Sequence, residues 1–524
     1  MKSLPIGVQT FRSFVEGNYI YVDKTRHIYN LLQPYQGVYF LSRPRRFGKS
    51  LLLSTIEEIF VGNKELFKDL WIYNSDYQWN KYPVIRLDFS KQKAEAPEQL
   101  KDFLMNQLGY IANQHNIQVN SKTYYEQFDE LIKTLSRKEK VVILIDEYDK
   151  PIIDWLDDLE LAKKMRVVMK GFFSILKGNA ENIRFLLLTG VSKFSKAGVF
   201  SDLNHLNDIT YDEKYSSMLG ITEDELKIFF NEYILDFSNK QNISYENLLE
   251  KIRYWYNGYK FSGQGISVYN PFSTLLLFQK QTFRNHWFET GTPTFLLKLM
   301  IAQDYPIANF PVKVDEIQIS SYDIERMNIL PILLQTGYLT IKEYDEERMI
   351  YTLDYPNFEV KRAYLTYFFE MYSNRSISEP VIYDILDSLR LNDLDRLFSV
   401  LKSYLAGIPY DIQIDLEKYY QTIFFIIFTL LGLKVFVEVK TNIGRIDLVI
   451  EDNSIFIFEF KFVASSPDTK NSAQTMQASV ARQAIEQIKS KKYPEKYLNK
   501  GKPIYLIGAE FKDKNIGEYL VEMI

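Results

Sequence analysis

The chain contains no cysteine and only four histidines among 524 residues. Disulfides, thiolate metal centres and cysteine nucleophiles are thereby removed together, and a histidine-rich metal site is disfavoured. A dominant charge is also missing. With 63 Lys and Arg against 67 Asp and Glu, the formal net charge is -4, so no global basic field steers a polyanion and any nucleic acid contact must come from local patches. Long apolar runs are scarce. The strongest, Ile423 to Leu433, is well short of the ~20 residues that span a bilayer, and Lys434 closes it, so it reads as a buried helix followed by a strand. The segment Met1 to Gly7 has neither an apolar h-region nor a small-residue cleavage site, and the expected location is cytoplasmic with no membrane partner. No internal repeat and no low-complexity tract interrupts the chain.

What is present suits a globular protein of several domains. Hydrophobic residues at 46% and charged residues at 25% are the balance of chains that bury ordinary cores, and the length predicts about three or four domains of ~100 to 200 residues.

The most informative stretch is Arg43-Pro44-Arg45-Arg46-Phe47-Gly48-Lys49-Ser50, which follows the apolar run Gly37 to Ser42 and precedes Leu51-Leu52-Leu53. A buried strand that feeds a tight turn and a helix N-terminus presents backbone N–H groups to a triphosphate; Lys49 then reaches its β and γ phosphates and Ser50 places a hydroxyl on Mg²⁺. The first glycine of the usual Gly-x-x-x-x-Gly-Lys-Ser/Thr pattern is absent, and Arg43 stands there. If the backbone needed a positive φ at Arg43, the side chain would cost roughly 1 kcal/mol or more, which predicts a loop of different shape.

Around this loop the spacing predicts an α/β fold. Leu51 to Phe60 has helical periodicity, Pro83 to Ser90 reads as a strand, and helices are expected around Glu98 to Asn113 and Tyr124 to Ser136. Val141-Val142-Ile143-Leu144-Ile145 reads as a strand buried on both faces. At its end Asp146 is placed to hold Mg²⁺ through water, with Glu147 beside it to polarise the attacking water. Ile183 to Gly190 is a further strand, whose Thr189 and the following Ser192 either sense the γ phosphate or cap a turn. Tyr19 to Thr25 reads as a short peripheral strand whose tyrosines pack, or in which Tyr21 stacks on a base. All the polar strand ends fall where open α/β sheets bind ligands.

These segments resemble the AAA-ATPase-like family of bacterial proteins. The resemblance rests on Arg43 to Ser50, Ile145 to Pro151 and Thr189 to Ser195, with Phe200 to Asn204, Tyr256 to Tyr259, Tyr269 to Phe272 and Thr290 to Pro293. It covers most of the first ~300 residues. The resemblance implies an ATP-binding P-loop domain in which Arg43 belongs to the pattern, commonly joined to a C-terminal nuclease-like domain of the PD-(D/E)xK superfamily.

Between the two ends, Ile221 to Tyr256 is helical and polar-faced and reads as a lid. Ile329 to Tyr338 followed by two β-prone runs, Tyr338 to Ile341 and Met349 to Leu353, suggests a winged-helix-like element whose acidic tip, Tyr344 to Arg348, disfavours insertion beside phosphates. Gly407-Ile408-Pro409 marks a boundary. The expected domains are 1–215, a P-loop (ASCE/AAA-like) domain; 216–310, a helical lid; 311–408, a winged-helix-like and helical region; and 409–524, an α/β restriction-endonuclease-like domain.

In that last domain Val435 to Val439, Gly444 to Ile450 and Ser454 to Lys461 read as strands after a helix that Glu417 opens. Strand alternation puts Glu459 and Lys461 on one face with Ile457 and Ile455. Charged residues on an apolar face are costly unless paired or functional, and phosphodiester hydrolysis supplies a function. Asp447 and Glu459, with Glu417 able to join, offer hard oxygen ligands to Mg²⁺; Lys461 would orient and help deprotonate water, and Gln487 on the next helix would hold the water or phosphate. The set resembles a PD-(D/E)xK site, with Ile446 in place of the proline that names it. An ATP hydrolase joined to a metal-dependent nuclease acting on nucleic acid, DNA before RNA, is expected; the alternative is a nucleotide-dependent switch with an inactive nuclease fold. The arginine that assists phosphoryl transfer could be Arg45 or Arg46, or come from a neighbouring subunit of a homo-oligomer.

Overall fold

Three uninterrupted apolar runs become the buried centre of a parallel sheet. β1 (Gly37–Ser42), β2 (Val84–Asp88), β3 (Val141–Asp146), β4 (Ile183–Gly190) and β5 (Asn207–Asp208) pair in the order β2-β3-β4-β1-β5, all parallel. Every residue of β1, β3 and β4 is buried, as continuous apolar strands covered on both faces require. Because β4 lies between β1 and β3, the C-terminal ends of all three stand side by side, with Ser42 level with Gly190 and Ile145 with Leu188. The computed structural model describes residues 1–193, 199–200, 203, 205–287, 296, 299–300, 310–320, 328–373, 379–405, 416–441, 444–463, 479–512 and 515–524. They fall into two units, Met1–Leu296 with Pro311–Lys361, and Leu297–Phe310 with Arg362–Ile524.

The first unit holds the parallel sheet. The helix Lys49–Phe60 follows the phosphate-loop motif directly and packs on β3 and β4. The expected peripheral strand at Tyr19 to Thr25 does not join the sheet. Tyr19 makes an isolated bridge to Ser3 and Thr25 opens the helix Thr25–Leu32. Tyr21 gives the reason: its ring packs edge-on against Phe11 and Phe14 and its hydroxyl bonds the Thr55 hydroxyl at 3.3 Å, so the aromatic residues serve packing rather than pairing. The edge is taken instead by β5, two residues with no apolar run to announce them.

After the sheet, helices Glu223–Phe229, Asn231–Gln241 and Tyr245–Tyr256 close over a core that includes Leu226, Ile234, Phe237, Leu248 and Ile252. A capping box starts the first of them, Thr222 and Glu225 each accepting from the other's backbone N–H. A small antiparallel sheet follows, of β6 (Val312–Asp315), β7 (Thr340–Asp345) and β8 (Ile350–Asp354) in the order β6-β8-β7, with the helix Ile329–Thr336 between β6 and β7 in sequence. This is the helix-and-hairpin element expected, with β6 as an addition, and it belongs to the first unit.

The second unit is built on β9 (Lys434–Lys440), β10 (Arg445–Glu451), β11 (Ile455–Val463), β12 (Ile504–Lys512) and β13 (Asn515–Met523), ordered β13-β12-β11-β10-β9. Only β11 and β12 run parallel, and the helix Val480–Ser490 lies between them in sequence. The alternation of β11 divides its neighbours. Phe456, Phe458, Phe460 and Phe462 form one face, on which Phe458 and Phe460 meet Phe428 and Phe424 of the helix Leu416–Leu430. On the other face Ile455 and Ile457 pack with Ile485 and Ile488 of the helix Val480–Ser490. The boundary at Gly407 to Pro409 and the motif Thr290 to Pro293 lie outside the described residues, as do Phe194 to Lys196, Ser201, Asp202 and Asn204. No helix among the described residues is long and apolar enough to cross a membrane.

Candidate functional site

In the phosphate-loop segment the left-handed positions are Arg46 (φ 68) and Gly48 (φ 93), and none is required at Arg43. The strain anticipated at the missing glycine therefore sits three residues later, at a residue with a side chain. Arg43 has another task. Its guanidinium is 1% exposed; Nη1 donates to the Ser42 and Thr210 carbonyls at 2.8 and 2.7 Å, Nη2 to that of Tyr215 at 3.2 Å, and the Phe261 ring lies 4.2 Å away. Burial pushes its pKa down to about 9, which leaves it charged at neutral pH. Arg43 thus anchors the loop from behind. The Arg43 and Pro44 carbonyls in turn accept from Lys49 Nζ at 2.9 and 3.1 Å.

The acids stand across from this lysine. Burial draws the Lys49 amine below its ordinary pKa, while Asp146, Glu147 and Asp149 pull it back up. Asp146 is buried, and its Oδ1 accepts from the Thr189 hydroxyl at 2.8 Å and from the Glu147 N–H at 3.1 Å. Glu147 has a left-handed backbone (φ 50), and burial raises its carboxyl pKa against the pull of Lys49 and Arg45. Ser192 is bonded elsewhere. Its N–H and hydroxyl donate to Asp149 Oδ2 at 2.6 and 2.7 Å, and Val191 N–H adds a third bond at 3.0 Å. Asp149 is a residue the motif reading missed; as the last acid of Asp-Glu-Tyr-Asp at a strand end it ties the end of β3 to the end of β4.

A cavity of about 450 Å³ opens beside the loop, lined on its polar side by Arg45, Arg46, Gly48, Lys49, Ser50 and Glu147. Its apolar wall includes Ile6, Val8, Ile221, Phe230 and Phe272, residues from the N-terminal segment and the helical lid. The size suits a nucleotide, and the division into polar and apolar ends suits phosphates and a base. Asp146, Thr189, Ser192, Arg43 and Pro44 are outside this lining, and Phe47 packs edge-on against Tyr259 and Phe261.

The second unit brings Asp447, Glu459, Lys461 and Gln487 together. Val449 pairs with Ile457 and Leu448 with Phe458; continuing that register by one sets Asp447 level with Glu459. Asp447 Oδ2 accepts from the Phe460 N–H at 2.7 Å. Lys461 Nζ donates to Glu459 Oε1 at 3.3 Å and to Gln487 Oε1 at 2.7 Å, and Gln487 Nε2 donates to Glu459 Oε1. Glu459 is 2% exposed, and its Oε1 accepts from both Lys461 and Gln487. Tyr493 was not anticipated. Its hydroxyl donates to the Arg445 carbonyl at 2.7 Å, and a Cβ on Gly444 would meet the Tyr493 hydroxyl oxygen at 2.7 Å. Burial and the charges of Glu459 and Asp447 raise its pKa.

Glu417 lies on the helix Leu416–Leu430, but its side chain is outside the described residues. Among those described, no group of three or more His, Asp or Glu side chains forms a metal cage. Two carboxylates suffice for Mg²⁺, which keeps several waters and takes further oxygens from a phosphate substrate, so the donor set of Asp447 and Glu459 fits that ion.

The parallel sheet with its loop and acids defines a P-loop class of protein, and the mixed sheet defines a nuclease-type domain. Comparison with known proteins agrees: the family described as "Predicted AAA-ATPase" matches residues 5–200 and the PD-(D/E)XK nuclease superfamily matches residues 415–517. A protein of Azotobacter chroococcum mcd 1, described as "Uncharacterized protein in vnfD 5'region", is 36% identical over 544 aligned positions, which cover 100% of this chain and 99% of the relative. The chain belongs to this family of AAA-ATPase-like proteins with a C-terminal PD-(D/E)XK domain. No solved structure matches it.

Proposed function

We propose that the first unit binds and hydrolyses ATP with Mg²⁺, and that the second is a Mg²⁺-dependent phosphodiesterase acting on nucleic acid, DNA before RNA, under control of the nucleotide state. The observation that carries the reading is the buried network of Glu459, Lys461 and Gln487 with Asp447 on the neighbouring strand. A buried carboxylate with this much support costs more than an apolar residue there would, and hydrolysis of a phosphodiester gives it a use.

In the second unit Asp447 and Glu459 would hold the ion, which supplies charge neutralisation at the scissile phosphate when bound. Lys461 orients the attacking water and shifts its proton equilibrium, and Gln487 fixes the Lys461 ammonium by its carbonyl oxygen. In the first unit backbone N–H groups of the loop and Lys49 would grip the phosphates, Ser50 and Asp146 would hold Mg²⁺, Thr189 keeps Asp146 oriented, and Glu147 would polarise the attacking water.

The test is cleavage of plasmid and linear DNA with Mg²⁺ or Mn²⁺, beside ATP hydrolysis by the same preparation. Lys461→Ala is expected to abolish cleavage and Lys49→Ala to abolish hydrolysis. Cleavage that survives in Lys461→Ala sinks the second site, and turnover that survives in Lys49→Ala sinks the first.

A further inference from the structure

The phosphate loop carries three arginines, which are employed differently. Arg43 is bonded to three carbonyls behind the loop. Arg46, on its left-handed backbone, holds its guanidinium 4.9 Å from the centre of the Phe272 ring, on the apolar wall of the cavity. Arg45 is exposed, lines the polar end, and among the described residues makes no ion pair.

The position of Arg45 follows from its neighbours. Lys49 Nζ rests on the Pro44 carbonyl at 3.1 Å, so the Arg45 backbone begins one peptide away from the amine that would mark the β and γ phosphates. The Arg45 carbonyl accepts from the Trp287 indole N–H at 3.4 Å, which steadies the backbone from which the side chain springs. Glu147 lines the same cavity, and the Arg45 charge acts on both it and Lys49. A cation that lines one cavity with the phosphate-gripping lysine and the water-polarising carboxylate is available to the negative charge that develops on the transferred phosphoryl group.

We propose that Arg45 is the arginine that stabilises the γ phosphoryl group during ATP hydrolysis, supplied by the loop of the same chain rather than by a neighbouring subunit. This rests on the ATP site proposed above and names a residue and a mode of action within it. Hydrolysis by such a site needs no second copy, and its rate per chain is independent of protein concentration. The step itself is the ordinary one: water oxygen bonds to the γ phosphorus, the bond to the β–γ bridging oxygen breaks, and ADP leaves with that electron pair while the water proton passes to solvent or phosphate.

The experiment uses full-length protein. Arg45→Ala is expected to lower the hydrolysis rate by ~10²-fold or more, in line with arginines that act on the γ phosphoryl group elsewhere, and to weaken ATP binding about tenfold while leaving ADP binding unchanged. Mixing Arg45→Ala with Lys49→Ala then separates the two sources of arginine. One variant keeps an intact lysine and the other an intact arginine, so recovered activity on mixing would show an arginine acting between chains and overturn the proposal. So would an Arg45→Ala protein that hydrolyses as fast as wild type, or faster, or that keeps the wild-type ratio of ATP to ADP affinity. Wild-type protein that binds neither nucleotide would overturn the ATP site itself, which is a different failure from the loss of Arg45's role alone.

Discussion

Each unit holds a lysine among acids, and the two are secured in different ways. Lys49 is 6% exposed and bonds two backbone carbonyls, whereas Lys461 is part-exposed and bonds two side chains, Glu459 and Gln487. The first site is a product of backbone geometry: left-handed residues at Arg46, Gly48 and Glu147, and a buried Asp149 that ties two strand ends together. The second is a product of strand alternation and one helix face. Changes at the first should therefore be felt in stability as well as activity, and changes at the second chiefly in activity.

The largest effect that would break this contrast is at Glu459. Glu459→Gln keeps the shape and removes the charge; cleavage should fall by at least ~10³-fold, the scale of a lost charged ligand or catalytic group, with little change in melting temperature. A collapse of the fold instead would mean that the second site is structural. Next is Asp149→Asn, which removes an acceptor of three bonds. Its cost should be about 1 to 3 kcal/mol in chemical denaturation, because buried donors lose their partner. An unchanged midpoint would deny the backbone account. Tyr493→Phe sharpens the other half: the ring stays, the bond to Arg445 goes, and cleavage should drop about tenfold, or roughly 1.4 kcal/mol, through the placing of β10 and Asp447. Full activity in this variant would leave Tyr493 as filler.

The smallest effect is a shift in pH dependence. In the proposed hydrolysis Glu147 must be ionised to polarise water, and burial raises its pKa above the ordinary glutamate value. The acid limb of the hydrolysis profile should accordingly lie above ~4.3. Arg45 favours the ionised form, so Arg45→Ala should move whatever limb remains to higher pH. A limb that moves to lower pH contradicts that sign.

Much of both sites was legible in the sequence, and unequally. β3 and β4 are legible as short apolar runs bounded by polar residues, the pattern of strands buried on both faces, and the meeting of Glu459 with Lys461 on one strand face is legible because side chains alternate along a strand. What depends on backbone dihedrals was not legible. Nothing in Arg43 to Ser50 says that Arg46 takes the left-handed position or that Arg43 turns inward to Thr210 and Tyr215, since those carbonyls lie some 170 residues downstream. Tyr493 escaped for a similar reason: it reaches Gly444 and Arg445 across the fold. β5, with no apolar pattern, is placed by its register beside Tyr39 and Phe40 and by the ion pair of Asp208 with Lys193.

The central claim is that the nucleotide state of the first site governs the chemistry of the second. The most direct measurement is the DNA cleavage rate with Mg²⁺ in the presence and absence of ATP, for wild type and for Lys49→Ala. A rate that changes with ATP in wild type and is indifferent to it in Lys49→Ala, with cleavage itself retained, is the predicted result. Wild-type cleavage that ignores ATP, or an equal response in Lys49→Ala, would contradict it.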